Sequence, residues 1–231
     1  MKASQLLDII QDLKDLTENT QKFPPGKHEK FSNELSLLEK QFANIEIAEN
    51  HKHILDAVCQ KGKDTVKIIK NSTNAKENRD KLELYLRYLK AAKGDFEGKT
   101  NEVGKYYRTF IITTALFLAL SPQYFGFILP AVFFVPIFLG MRGVKSRSQN
   151  GLYMSLAVVP VGLMTSFIWI RYGIYAVTHY GEAVATVMAD TGRSLAVSKA
   201  LVAVPPLLSL LLLACALLTL YRGYKSKDLF I

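Results

Sequence analysis

Three long stretches of this chain carry no charge. There is no Asp, Glu, Lys or Arg from Thr109 to Met141, from Gly151 to Ile170, or from Ala200 to Tyr221. Runs this long and this uniformly apolar are too costly to leave in water and too even to be one-faced core helices, so they read as membrane-embedded segments. The fold class expected is all-α: an integral membrane protein with an N-terminal helical, coiled-coil-like head.

The partition is sharp. Residues 1–104 are expected to form a cytosolic helical domain, 105–222 a transmembrane domain, and 223–231 a basic cytosolic tail. Met1 to Leu16 includes Asp8, Asp12, Lys14 and Asp15. It has no uncharged core, so no secretory signal is expected there and the first apolar segment should direct insertion.

The formal charge of +9 is unevenly spread. Residues 1–50 hold six basic and nine acidic side chains, and residues 51–108 hold fourteen and eight. Positive charge thus rises toward the first apolar segment, which favours anionic lipid headgroups on the cytosolic side, at ~1 kcal/mol per juxtamembrane cation. A nucleic-acid partner is not expected, because the lysines alternate with acids and no nucleic-acid module is visible. Cys59 and Cys215 fall in unlike surroundings and are expected as two reduced thiols.

The first apolar region would be ~45 Å long as one helix, too much for a hydrocarbon core of about 30 Å. Ser121-Pro122-Gln123-Tyr124 divides it. The spacing predicts helices over 106–121 and 126–141, either crossing twice or forming a re-entrant hairpin. Further spans are expected over 152–170 and 201–221. Lys105, Tyr106, Tyr107 and Arg108 open the first segment, Arg142, Lys145 and Arg147 close the second, and Arg222 and Lys225 close the fourth. With four crossings these basic clusters share one face, so both termini are placed in the cytosol. Trp169, Arg171 and Tyr172 are expected to form a belt at the far interface.

Arg142-Gly143-Val144-Lys145-Ser146 resembles Arg222-Gly223-Tyr224-Lys225-Ser226. A duplicated hairpin would produce such a pair, and so would the ordinary recurrence of small and basic residues at membrane exits. In the outer loop, Ala183, Val184, Val187 and Met188 suggest a short amphipathic piece before a turn at Asp190–Arg193.

In the head, Leu6, Ile9, Leu13 and Leu16 step by three and four before Phe23-Pro24-Pro25-Gly26 breaks the chain. Leu35, Leu38, Phe42 and Ile45 form the next stripe, and Leu82, Leu86 and Leu89 a later one. Such narrow stripes bury little in a lone hairpin, so they are expected to face a second copy, making a homo-oligomer. Lys61-Gly62-Lys63-Asp64 is expected to be a corner, and Asn74 to cap a helix with Glu77 in the box position.

No nucleophile–base, zinc, phosphate-loop or dinucleotide motif is present, and the apolar segments contain no carboxylate. No enzymatic activity, metal or cofactor is therefore expected. His51 and His53, two apart on a helix, point to different faces and make a poor metal pair. The remaining pointed feature is proline. Pro130, Pro136, Pro160 and Pro205-Pro206 are expected to bend the membrane helices and free carbonyls. Bent helices can line a path, so a channel or transport subunit assembled through its head is the first functional expectation. A scaffold that recruits a cytosolic protein is the second, and a lipid-modifying enzyme is last.

Overall fold

The computed structural model describes residues 3–18, 22–24 and 26–231, and all regular structure among them is helical. The Phe23–Gly26 break falls partly outside the described residues. The chain divides into two compact units. One comprises Met1–Asn101 with Asp228–Ile231, and the other comprises Glu102–Lys227.

The first unit is a four-helix head: α1 (Ser4–Glu18), α2 (His28–Ala43), α3 (Lys52–Asn71) and α4 (Ala75–Phe96). Helix α1 packs on α2 and α3, and α4 packs on α3 and α2, so the four close into a ring around one core. Leu6, Ile10, Leu13, Phe31, Leu35, Phe42, Ile69, Leu82 and Leu89 are sealed in it. Leu38 and Leu86 lie in the same core, and Ile45 is half-buried against it. The stripes expected to meet a second copy thus meet one another within one chain. Four stripes together bury what one hairpin could not.

Two local expectations divide. Asn74 does cap α4, its side-chain oxygen accepting from the backbone N–H of Lys76 at 3.1 Å and of Glu77 at 3.3 Å. The corner at Lys61–Asp64 does not exist, because α3 runs straight through it. Gly62 is there to be thin. A Cβ at this position would lie 2.6 Å from Ile9 Cγ2 and would collide with the Tyr85 ring, which packs on the bare backbone. The Tyr85 hydroxyl donates to the Val58 carbonyl at 3.3 Å. Burial holds the Tyr85 phenol above its ordinary range, and burial likewise raises the Cys59 thiol, with Lys63 partly offsetting it.

The C-terminal residues belong to this unit. Leu229 and Phe230 are buried, and Leu229 fills the space that a side chain at Gly94 of α4 would need. Within the stretch expected as a basic cytosolic tail, α11 continues to Ser226, and Leu229 and Phe230 then form a hydrophobic plug in the head. Helix α4 ends at Phe96 and Gly98 turns the chain in the left-handed region, φ +71°.

The second unit contains α5 (Thr100–Leu120), α6 (Pro122–Phe125), α7 (Ile128–Lys145), α8 (Gln149–Ala157), α9 (Val159–Thr178), α10 (Tyr180–Thr191) and α11 (Leu195–Ser226). Three of its helical stretches are long and apolar enough to cross a membrane: Ile128–Lys145, Gln149–Thr178 and Leu195–Leu229. The chain is thus all-helical with a membrane-compatible helical unit. Helix α5 is not among the three, since only its Thr109–Leu120 part is free of charge. The third and fourth segments run longer than their charge gaps, because α9 and α11 continue beyond Ile170 and before Leu201 and hold α10 between them.

Candidate functional site

The second unit is assembled from small residues and hydroxyls. Helices approach closely where side chains are missing, as expected where packing rather than hydrophobic expulsion joins them. Gly143 of α7 and Gly151 of α8 touch backbone to backbone, leaving no room for a Cβ on either. One turn on, Gly140 faces Ser155, where a Cβ would lie 3.0 Å from the serine. Gly173 of α9 faces Pro206 of α11, at 2.7 Å by the same measure.

Hydroxyls bridge the helices. Tyr106 is fully buried, its ring against Gly223, and its hydroxyl meets Ser155 Oγ at 2.5 Å. Ser155 donates onward to the Leu152 carbonyl at 2.7 Å, so Tyr106 is the donor in the first bond. Higher up, the buried Thr113 and Thr219 hydroxyls are 3.0 Å apart, and Thr219 donates to the Cys215 carbonyl. Thr165, Ser166 and Ser209 turn back to their own helices, onto the carbonyls of Val161, Gly162 and Pro206. Ser121 and Ser198 hold buried hydroxyls with no partner.

At one end of the unit, cations gather around α5's start, the α7–α8 turn and α11's end. Arg222 donates to the Lys105 carbonyl at 3.0 Å. Glu102 pairs with Lys105 at 2.9 Å and with Lys225 at 3.4 Å. Its bond to Lys105, with Lys225 adding, holds its carboxyl below the usual range. Lys145 lies 5.3 Å above the Tyr107 ring. Arg108 and Arg142 are exposed beside them, and Arg147 sits half-buried in the left-handed region, φ 56°, at the α7–α8 turn.

The expected belt divides on inspection. Trp169 does not face outward, and neither does Tyr106, expected as an anchor at the opposite interface. The Trp169 indole N–H donates to the Leu120 carbonyl at 2.9 Å, and Tyr124 and Tyr172 meet the indole edge-on at 4.9 and 5.7 Å. Trp169 therefore caps α5, which has run out of N–H groups to donate to its last carbonyls. Arg171 is exposed and Tyr172 half-buried on α9.

The prolines also fall into two groups. Pro136, Pro205 and Pro206 lie inside helices. Pro160 is in the first turn of α9 and Pro130 in the first turn of α7, where the missing donor costs nothing. Those two start helices rather than bending them. Above Pro206 a cleft of about 400 Å³ opens between α9 and α11, lined by apolar side chains such as Val177, Val202 and Leu210. No set of three or more His, Cys, Asp or Glu side chains among the described residues is arranged to hold a metal.

No family model, no curated protein and no solved structure matches the chain.

Proposed function

We propose that this chain is a non-enzymatic integral membrane protein that holds a compact helical head at the cytosolic face, where a soluble protein docks. The membrane part consists of four embedded helices in two hairpins: α5 with α7, and α8–α9 with α11. The observation that carries the scaffold reading is the hydroxyl chemistry of the bundle. Tyr106, Ser155, Thr113, Thr219, Thr165, Ser166 and Ser209 all spend their hydrogen bonds inside it. A conduit needs polar groups aimed at a path, and these are bound to one another or to carbonyls of their own helices.

The sidedness has two supports. Residues 228–231 share a unit with the head, which favours a tail that returns to the head's side of the bilayer. The cations Lys105, Arg108, Arg142, Lys145, Arg222 and Lys225 share one end of the bundle, which the positive-inside rule assigns to the cytosol. That end suits anionic headgroups.

A passage reading keeps one support of its own. Pro136, Pro205 and Pro206 inside helices free carbonyls, and such carbonyls could line a route between copies. Cysteine scanning along α7, α9 and α11, on a background without Cys59 and Cys215, separates the two. The scaffold reading expects no stripe open to a water-soluble thiol reagent, and no ion leak from liposomes containing the protein. A reactive helical stripe together with leak would replace it by the passage reading.

A further inference from the structure

We infer that the first hairpin turns inside the far leaflet rather than emerging from it, so that residues 121–128 form an intramembrane turn whose partner is lipid. This rests on the membrane reading above, and adds to it a depth.

The depth follows from two bonds. Tyr106 is tied to Ser155 near the basic end, and Trp169 is tied to Leu120 at the top of α5. From 106 to 120, and from 155 to 169, the two paths each climb fourteen residues, about 21 Å. The two bonds therefore mark two levels of one bundle. Helix α9 then continues to Thr178, nine residues past Trp169, or ~13 Å more. The first charge past Trp169 is Arg171, exposed on α9 two residues on, whose long side chain can reach up the helix toward the headgroups; Glu182, Asp190 and Arg193 follow beyond α9. A hydrocarbon core of about 30 Å, measured from the Tyr106 level, ends twenty residues up the same path, near Tyr175. The tip of the first hairpin lies below that.

Its surface agrees. Phe127 is 82% exposed and Ile128 is 80% exposed. Burying a side chain of this size is worth about 1.5–3 kcal/mol, so two bare ones at a turn in water would be a poor arrangement. They continue the outward strip of Val132, Val135 and Phe138, which faces lipid in this reading. Several backbone groups at the turn find partners inside the protein, as hydrocarbon requires. Trp169 satisfies the Leu120 carbonyl, Tyr124 and Phe125 N–H groups donate to Ser121, and the Ala131 N–H donates to Phe127. A stretch of α5 from Thr109 to Leu120, ~18 Å long, needs to reach no further.

Nitroxide labels test this. They are placed on Phe127→Cys, Val132→Cys and Asp190→Cys in full-length protein lacking Cys59 and Cys215, reconstituted in liposomes. Collisions with oxygen, which prefers lipid, are compared with collisions with a water-soluble nickel chelate. Labels at 127 and 132 are expected to favour oxygen and lose nickel broadening, and the label at 190 to do the reverse. Ile128→Cys serves if the 127 variant does not fold. Nickel access at 127 equal to that at 190, with 132 shielded, overturns the inference but leaves the membrane reading. Nickel access at all three overturns both. Dipolar broadening at 127 that grows with protein-to-lipid ratio assigns the tip to a second copy and also overturns it.

Discussion

The Tyr106 hydroxyl donates to Ser155 across 2.5 Å in a site where neither side chain has any exposure, and the ring lies on the bare backbone of Gly223. Three helices, α5, α8 and α11, therefore meet on one tyrosine. Tyr106→Phe removes the bond but keeps the ring, and is expected to cost about 1 kcal/mol. Tyr106→Ala empties the site and is expected to cost about 3–5 kcal/mol. Thermal unfolding in detergent measures both. Equal effects would mean that the ring is not what joins the helices.

Gly143 and Gly151 make a sharper case. Their backbones are in contact, so any added side chain must part α7 from α8. Gly151→Val is expected to cost well above the ~1–3 kcal/mol of ordinary overpacking, because backbone cannot step aside as a side chain can. Gly181 in α10 is the control, with open space where its Cβ would be. Gly181→Ala is expected to be neutral or to stabilise by up to ~1 kcal/mol through helix propensity. Expression of folded protein, followed by size exclusion in detergent, distinguishes the two.

Much of this was legible in the sequence. The charge gaps mark the membrane-compatible helices, and the Asn74–Glu77 spacing marks the start of α4. What was misread has a common cause. Gly62 looks like a corner because a glycine between lysines is locally permissive, yet its purpose is tertiary, a seat for Tyr85. Tyr106 reads as an anchor at one interface and Trp169 as part of a belt at the other because an aromatic ring with a polar tip suits an interface. The same ring suits a buried hydrogen bond, and only the partner, Ser155 or the Leu120 carbonyl, decides. The Leu35–Ile45 and Leu82–Leu89 stripes record how much apolar surface needs covering, but not whether the cover comes from the same chain. The apolar triplet Leu229-Phe230-Ile231 after a run of basic residues was the visible hint that the tail is a plug.

Tyr85 ties head stability to alkaline pH. Its neutral phenol donates to Val58, and burial raises its pKa above the ordinary value. In the unfolded chain a tyrosine ionises near pH 10. A raised folded value means that the contribution is complete below about pH 10 and is lost as pH climbs past it. The head is expected to lose stability above that point, with less loss in Tyr85→Phe, which has no proton to lose there. Chemical denaturation from pH 8 to 11, followed by circular dichroism, checks the slope. The same slope in both proteins would remove Tyr85 from the account.

The tail offers the most direct test of how the chain's two ends are joined. Leu229 occupies the space above Gly94, and Phe230 is buried beside it in the same unit. Leu229→Ala is expected to cost about 2–5 kcal/mol, the range for a large-to-small change in a core. Gly94→Leu attacks the same contact from the other side by filling the seat. If the two side chains compete for one space, each change should loosen the end of α4, and the double variant should cost less than the sum. Hydrogen exchange of the Ala91–Phe96 amides in the full-length protein reads this directly. Unchanged protection in Leu229→Ala would show that the head holds α4 without its plug, and would detach the tail from the head's core.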